Sequence, residues 1–342
     1  MIDLRSDTVT MPTSMMMEAI SNAKLGDDVY EEDPTVNELE RLAASMMGTE
    51  SALLISSGTM GNLIANLIYC PRGTEVILGD LSHTFLYENG GISGLGGIHS
   101  HQLPNNDDGT IDIEKISNAI RTDDVHFPKT KLISLENTHN KCYGAPLDIN
   151  YINSVCDLAH ENNISVHMDG ARLFNACTAL NIAPDQVLAN VDSVTFCLSK
   201  GLSAPMGSIL CGTSKFINNA RYIRKSIGGG MRQSGIIAAA GIISLKHMVN
   251  RIADDHENAQ LLASGLKDIH GIDIDVTKVK TNIIFFNITH DSITQLEFVK
   301  AAKERKILLN DYNGKHCRLV LHSGISKNDV EKVILEFNKL LS

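Results

Sequence analysis

Five short apolar runs, each closed by a polar cluster, most constrain how this 342-residue chain can fold. Leu53-Leu54-Ile55 gives way to Ser56-Ser57-Gly58-Thr59, and the run from Glu75 to Leu78 to Asp80. Lys131 to Leu135 ends at Glu136-Asn137-Thr138-His139-Asn140, Ile164-Ser165-Val166 at Asp169, and Val191 to Leu198 at Ser199-Lys200-Gly201. Runs of this length read as buried strands, and expected helices lie between most of them, as over Leu63 to Tyr69 and Asn150 to Glu161. Strand-helix alternation of this kind builds an α/β three-layer sandwich with a mostly parallel central sheet, whose ligands bind outside the carboxyl ends of the strands. From Lys246 the texture changes to charged helices and short strands. The expected division is therefore a large unit over residues 1–245, N-terminal arm included, and a small C-terminal α+β unit over 246–342.

Composition narrows the partners. A formal net charge of −10 without a basic cluster argues against nucleic acid and anionic membrane surfaces, which leaves a small molecule as the expected ligand. The seven cysteines are scattered and odd in number, as in a reducing cytoplasm, and no metal-ligand spacing is present. The uncharged stretch from Ser51 to Pro71 is interrupted by Ser56, Ser57, Gly58, Thr59, Gly61 and Asn62, so it reads as strand, turn and helix, not a membrane span.

The strand-end residues carry the chemistry. Lys200 is the only ionisable side chain between Asp192 and Lys215 apart from two thiols. A lysine so placed is either a covalent anchor activated by desolvation or an aliphatic stem snorkelling from a strand end. Asp169, at the previous strand end, can hold a pyridinium nitrogen. A lysine and a ring-facing carboxylate are what pyridoxal 5'-phosphate asks of a protein. Ser57, Gly58 and Thr59 open a helix whose free N–H groups suit a phosphate. His83 and Tyr87 share a helical face, although a lone histidine there also reads as a cap or surface residue. Arg232 follows three glycines that are either a device for aiming it or a plain hinge. Arg318 in an apolar strand faces either an anion or a structural carboxylate.

Taken in order, these segments resemble the low-specificity L-threonine aldolases, pyridoxal-phosphate enzymes of the aspartate-aminotransferase fold, fold type I. The match covers Asp3 to Thr10, Gly26 to Tyr30, Ser57 to Asn62, Glu136 to Asn140, Asp169 to Arg172, Leu198 to Gly201 and the triple glycine Gly228 to Gly230. The resemblance implies that Lys200 binds the cofactor covalently, Asp169 meets the pyridine nitrogen, and Ser57, Gly58 and Thr59 hold the phosphate. It further implies that His83 stacks on the ring and that Ser6, Arg172 and Arg318 take the substrate carboxylate. Arg232 would approach from a neighbouring subunit, with Tyr30, Tyr87 and His126 near that contact, in a homotetramer built as a dimer of dimers. The implied reaction cleaves threonine or allo-threonine to glycine and an aldehyde. Other chemistry on the same cofactor (transamination, racemisation or β-elimination) and non-catalytic binding of a phosphorylated ligand are the alternatives. Glu31 and the short segment Lys141 to Ala145 depart from the family pattern at the rim of the pocket.

Overall fold

The computed structural model describes residues 1–312, 314 and 316–342. It opens with a two-residue strand, β1 (Ile2–Asp3), followed by the strands of the central sheet: β2 (Ser51–Ile55), β3 (Glu75–Gly79), β4 (His99–Leu103), β5 (Thr130–Glu136), β6 (Ser165–Asp169), β7 (Ser193–Cys197) and β8 (Ser208–Gly212). Their order is β2-β8-β7-β6-β5-β3-β4. Only β8 runs against its neighbours, so the other strands all deliver their carboxyl ends to one edge. Register then aligns the polar residues: Glu136 lies opposite Asp169, and Asp169 opposite Thr195.

Helices cover both faces because the strands are apolar on both. Leu54 and Ile77 pack into one core with Leu39, Ile152, Phe174 and Ala238. Their neighbours Leu53 and Ile55 face the opposite way, against Ile64 and Phe216, while Val76 and Leu78 pack with Ile92 and Ile98. Near-continuous apolar strands are what a doubly covered parallel sheet requires. Strand β4 was not expected. As an edge strand it pairs only with β3, and its His99-Ser100-His101-Gln102 stretch is partly exposed, so no apolar run announces it. The glycine-rich stretch from Gly90 to Gly97 contains a helical turn, Gly91–Gly94, anchored by buried Ile92.

The second unit is an antiparallel sheet of β9 (Ile272–Asp273), β10 (Ile283–Ile288), β12 (Asn310–Tyr312) and β13 (His316–Val320), in the order β12-β13-β10-β9. Its core gathers Leu262, Leu266, Phe286, Phe298 and Phe337. The first residues of the arm, expected with the larger unit, pack here instead: β1 pairs in parallel with β11 (Ile307–Leu308), and Ile2 and Leu4 are buried in this second core. The first core continues through Leu245, Met248 and Ile252, and the second takes over at Ala259. No single helix among the described residues is long and apolar enough to cross a membrane.

Candidate active site

The helix Gly58–Tyr69 starts directly after β2, capped by the Ser57 hydroxyl, which accepts from the Met60 N–H at 3.2 Å. Its first N–H groups, on Gly58 and Thr59, belong to the orphan donors of a helix N-terminus and point outward with the positive end of the dipole. Glycine is needed for the close approach to the sheet. A Cβ on Gly58 would come 3.0 Å from Cys197 Sγ, and one on Gly61 would come 2.5 Å from Thr195 Oγ1.

One turn further on, Asn62 is buried, and its amide donates to Asp169 Oδ2 and to Glu88 Oε1, both at 2.8 Å. The Asn62 carbonyl oxygen accepts from His167 Nε2 at 3.1 Å, and His167 Nδ1 meets Ser193 Oγ at 2.8 Å. Burial pushes His167 down to about 4, so the ring is neutral. Asp169 Oδ1 accepts from the Ala171 N–H at 3.1 Å. Glu88 Oε1 also meets His83 Nδ1 at 2.9 Å, and the His83 N–H donates to Glu136 Oε2 at 2.6 Å. Burial works against a charged His83. The hydrogen bond to Glu88 and the charges of Asp169, Glu88 and Glu136 outweigh it and raise its affinity for a proton. Burial, with Asp169 nearby, also raises Glu88 against the pull of His83 and Asn62. One ligating atom each from His83, Glu88 and Asp169 lies within 4.8 Å of the others. Between the two carboxylates the place a cation would take is occupied by the Asn62 amide.

A second group forms beside the arm. Arg172, at the N-cap of the helix Leu173–Leu180, makes a buried bidentate pair with Asp7, and its Nη1 reaches Asn140 Oδ1 at 3.2 Å. Arg318, projecting from β13, donates to the same Asn140 oxygen at 2.7 Å and to the Arg5 carbonyl at 3.3 Å. Its Nε is buried without a partner. Burial, then the neighbouring Arg172, lowers Arg318 to about 10. Both arginines therefore reach the same Asn140 oxygen, but most of Arg172 is committed to Asp7. Ser6 caps the turn Asp7–Val9, its hydroxyl accepting from the Thr8 N–H at 3.2 Å.

Lys200 lies in the turn between β7 and β8 and is half-buried. Its carbonyl accepts from the Thr10 hydroxyl at 3.0 Å, and its charge is felt by Asp7. The rim over His83 is aromatic. Tyr87 lies 5.6 Å from the His83 ring, the Tyr87 and Tyr312 hydroxyls are 2.6 Å apart, and Lys141 Nζ stands 3.9 Å over the Tyr312 ring. Within one chain the remaining expected residues stay apart from this cluster. Tyr30 is 71% exposed, Arg232 is exposed and paired with Asp27 at 2.9 Å, and the exposed His126 side chain contacts Asp124 at 2.6 Å.

Asn62, Glu88, Asp7, Asn140 and Tyr312 went unassigned in the sequence. Asn62, just before the apolar stretch Leu63-Ile64-Ala65, and Asn140 and Asp7, inside the polar segments Glu136 to Asn140 and Asp3 to Thr10, left a signal; Glu88 and Tyr312 left none.

Residues 3–289 match the beta-eliminating lyase family. A probable low-specificity L-threonine aldolase of Arabidopsis thaliana is 46% identical, over 99% of this chain and 97% of its own. The low specificity L-threonine aldolase of Escherichia coli K12 is 42% identical over the whole of both chains. A threonine aldolase structure from Leishmania major superposes with a TM-score of 0.84, at 18% identity and over all of both chains. By its sequence, its fold and this cluster of strand-end residues, the chain belongs to the beta-eliminating lyase family, among the low-specificity L-threonine aldolases.

Proposed function

We propose that the protein is a carbon-carbon lyase that uses pyridoxal 5'-phosphate to cleave L-threonine, L-allo-threonine and related β-hydroxy-α-amino acids to glycine and an aldehyde. The residues present fit that cofactor. Free N–H groups at Gly58 and Thr59 with the Ser57 and Thr59 hydroxyls suit its phosphate, and Asp169 suits its ring nitrogen. Lys200, which has no carboxylate partner within 4.0 Å among the described residues, suits its carbonyl carbon. When bound, the cofactor supplies a sink for the electron pair released at the α-carbon of an amino acid.

The chain's own residues then decide which bond yields. Arg318, with its unpartnered Nε, and the free edge of Arg172 around Asn140 would hold the α-carboxylate, with Ser6 beside them. Fixing that group orients the substrate so that the Cα–Cβ bond, not the Cα–H bond, is aligned for cleavage. His83, surrounded by acids, would take the β-hydroxyl proton as the aldehyde forms. The observation that carries the reading is the meeting of Asp169 and His83 through Asn62 and Glu88, at the sheet edge that also carries the cradle.

Assembly completes the proposal. Arg232, Tyr30 and His126 are exposed in a single chain, as residues given to a neighbouring copy would be, and we assign the protein to a homotetramer with shared sites. Seven buried free cysteines suit a reducing cytoplasm, where the enzyme would serve threonine breakdown and glycine supply.

The test is a product assay on pure, cofactor-loaded protein with both threonine diastereomers. Acetaldehyde and glycine are expected; a 2-oxo acid, or racemised substrate without aldehyde, would reassign the reaction. Borohydride should fix the cofactor to the wild type and not to Lys200→Ala.

A further inference from the structure

The contact between His83 and Glu88 selects one of two chemically different imidazoles. An ionised carboxylate only accepts, so Glu88 Oε1 at 2.9 Å requires a hydrogen on Nδ1 and, in the neutral ring, leaves Nε2 as a bare lone pair. Glu88 is 6% exposed and Asn62 1%, so this geometry is set inside the protein and not by solvent. Asn62 has two amide hydrogens and gives one to each carboxylate, while its own orientation is fixed by His167. Two acids that would otherwise repel across a short gap are thereby held on a single donor. The groups facing His83 are Glu88 from its own segment, Asp169 from β6, Glu136 from β5 and the Tyr87 ring, and none of them is cationic.

We propose that Glu88 is a positioning residue that keeps His83 in the Nδ1–H form with Nε2 open to receive a proton, and that Asn62 secures Glu88 by tying it to Asp169. The proposal rests on the reading of His83 as the base. In the forward reaction the β-hydroxyl proton would pass to His83 Nε2 and the O–H electron pair would become the second bond of the aldehyde, with the bound cofactor supplying the sink for the Cα–Cβ pair. Nδ1–H stays hydrogen-bonded to ionised Glu88, which stabilises the imidazolium without taking its proton. One proton is returned to the α-carbon to complete glycine, from the His83 imidazolium directly or through water, so His83 ends the cycle neutral and the proton taken from the β-hydroxyl is accounted for.

Glu88→Gln tests this with almost no change of shape. Oε1 meets both Asn62 and Nδ1, so the glutamine oxygen placed there can accept from both and keep the hydrogen on Nδ1, while the negative charge that steadies the imidazolium is lost. With threonine, kcat should fall roughly 10²–10⁴-fold with KM nearly unchanged. Nitrogen NMR of the histidine rings in cofactor-free protein should show Nδ1–H at His83 in the wild type and in Glu88→Gln, with the ring giving up its second proton at lower pH in the variant. Asn62→Ala should leave His83 divided between the two forms. The wild-type spectrum stands as a test even if the variants do not fold, since an Nε2–H ring there overturns the proposal. So does an unchanged kcat in a folded Glu88→Gln, or an Asn62→Ala that matches the wild type in both tautomer and kcat. Failure of the wild type to release aldehyde would instead remove the parent reading, while the tautomer measurement, made without cofactor, would still decide which nitrogen carries the hydrogen.

Discussion

Arg172 and Asp7 meet through two parallel hydrogen bonds, Nε to Oδ2 at 2.7 Å and Nη2 to Oδ1 at 2.8 Å, with both side chains withdrawn from solvent. This pair ties the N-terminal arm to the end of β6. Removing the carboxylate leaves a buried guanidinium without a counter-charge. Asp7→Ala should therefore lose roughly 3–5 kcal/mol of stability, read from the midpoint of denaturant unfolding. Burial alone would raise the Asp7 pKa, but Arg172, Lys200 and Arg318 hold it well below the ordinary carboxylate range. The unfolded state thus takes up the proton first. The contribution is full above about pH 4 and is lost as the pH falls further, a loss absent from Asp7→Ala.

His167 acts at a milder pH. It titrates at about 4 in the folded protein because it is buried, against about 6.5 in an unfolded chain. Between those values the unfolded state binds more protons, so stability is full above about pH 6.5 and declines toward pH 4, by about 3 kcal/mol. Thermal unfolding across this range should show the decline, and it should be smaller in His167→Gln.

Gly61→Ala should disturb the phosphate cradle without touching any of its donors. The added methyl would sit 2.5 Å from Thr195 Oγ1 and 2.6 Å from Ile55 Cδ1, so the helix Gly58–Tyr69 must move off the sheet. Overpacking of this kind costs about 1–3 kcal/mol. A lowered melting temperature and weaker cofactor binding, followed by visible absorbance on titration, are the expected outcomes.

The proposed sharing of sites between subunits predicts complementation. Arg232→Ala and Lys200→Ala should each be inactive alone. Subunits of the two variants, unfolded and refolded together, should recover partial activity, since some sites would combine an intact Lys200 with an intact Arg232. Activity that stays absent in mixed oligomers of the native size would place Arg232 outside the neighbour's site.

The repeating unit of the large domain was legible because burial on both faces writes a continuous apolar run. The runs ending at Ile55, Leu135, Val166 and Leu198 all fall on strands of the central sheet, with boundaries displaced by up to three residues. Strand β4 was not legible, since an edge strand needs no such run. The membership of the arm was misread for a related reason. Ile2 and Leu4 alternate like any short strand, and nothing local tells which sheet will accept them.

The order of residue types along the chain determined the α/β class and the collection of Asp169, Lys200 and the Ser57-Gly58-Thr59 cradle at one edge, because parallel strands joined by helices all present the same end. Only the tertiary structure decided which partners those residues meet. Asp7 claims most of Arg172, Asn140 lies between two arginines, and Asn62 binds Glu88 and Asp169 at once. Such pairings join positions as far apart as Asp7 and Arg172. They form because a buried charge or amide must find its complement somewhere in the packed interior, and sequence spacing carries no record of where that is.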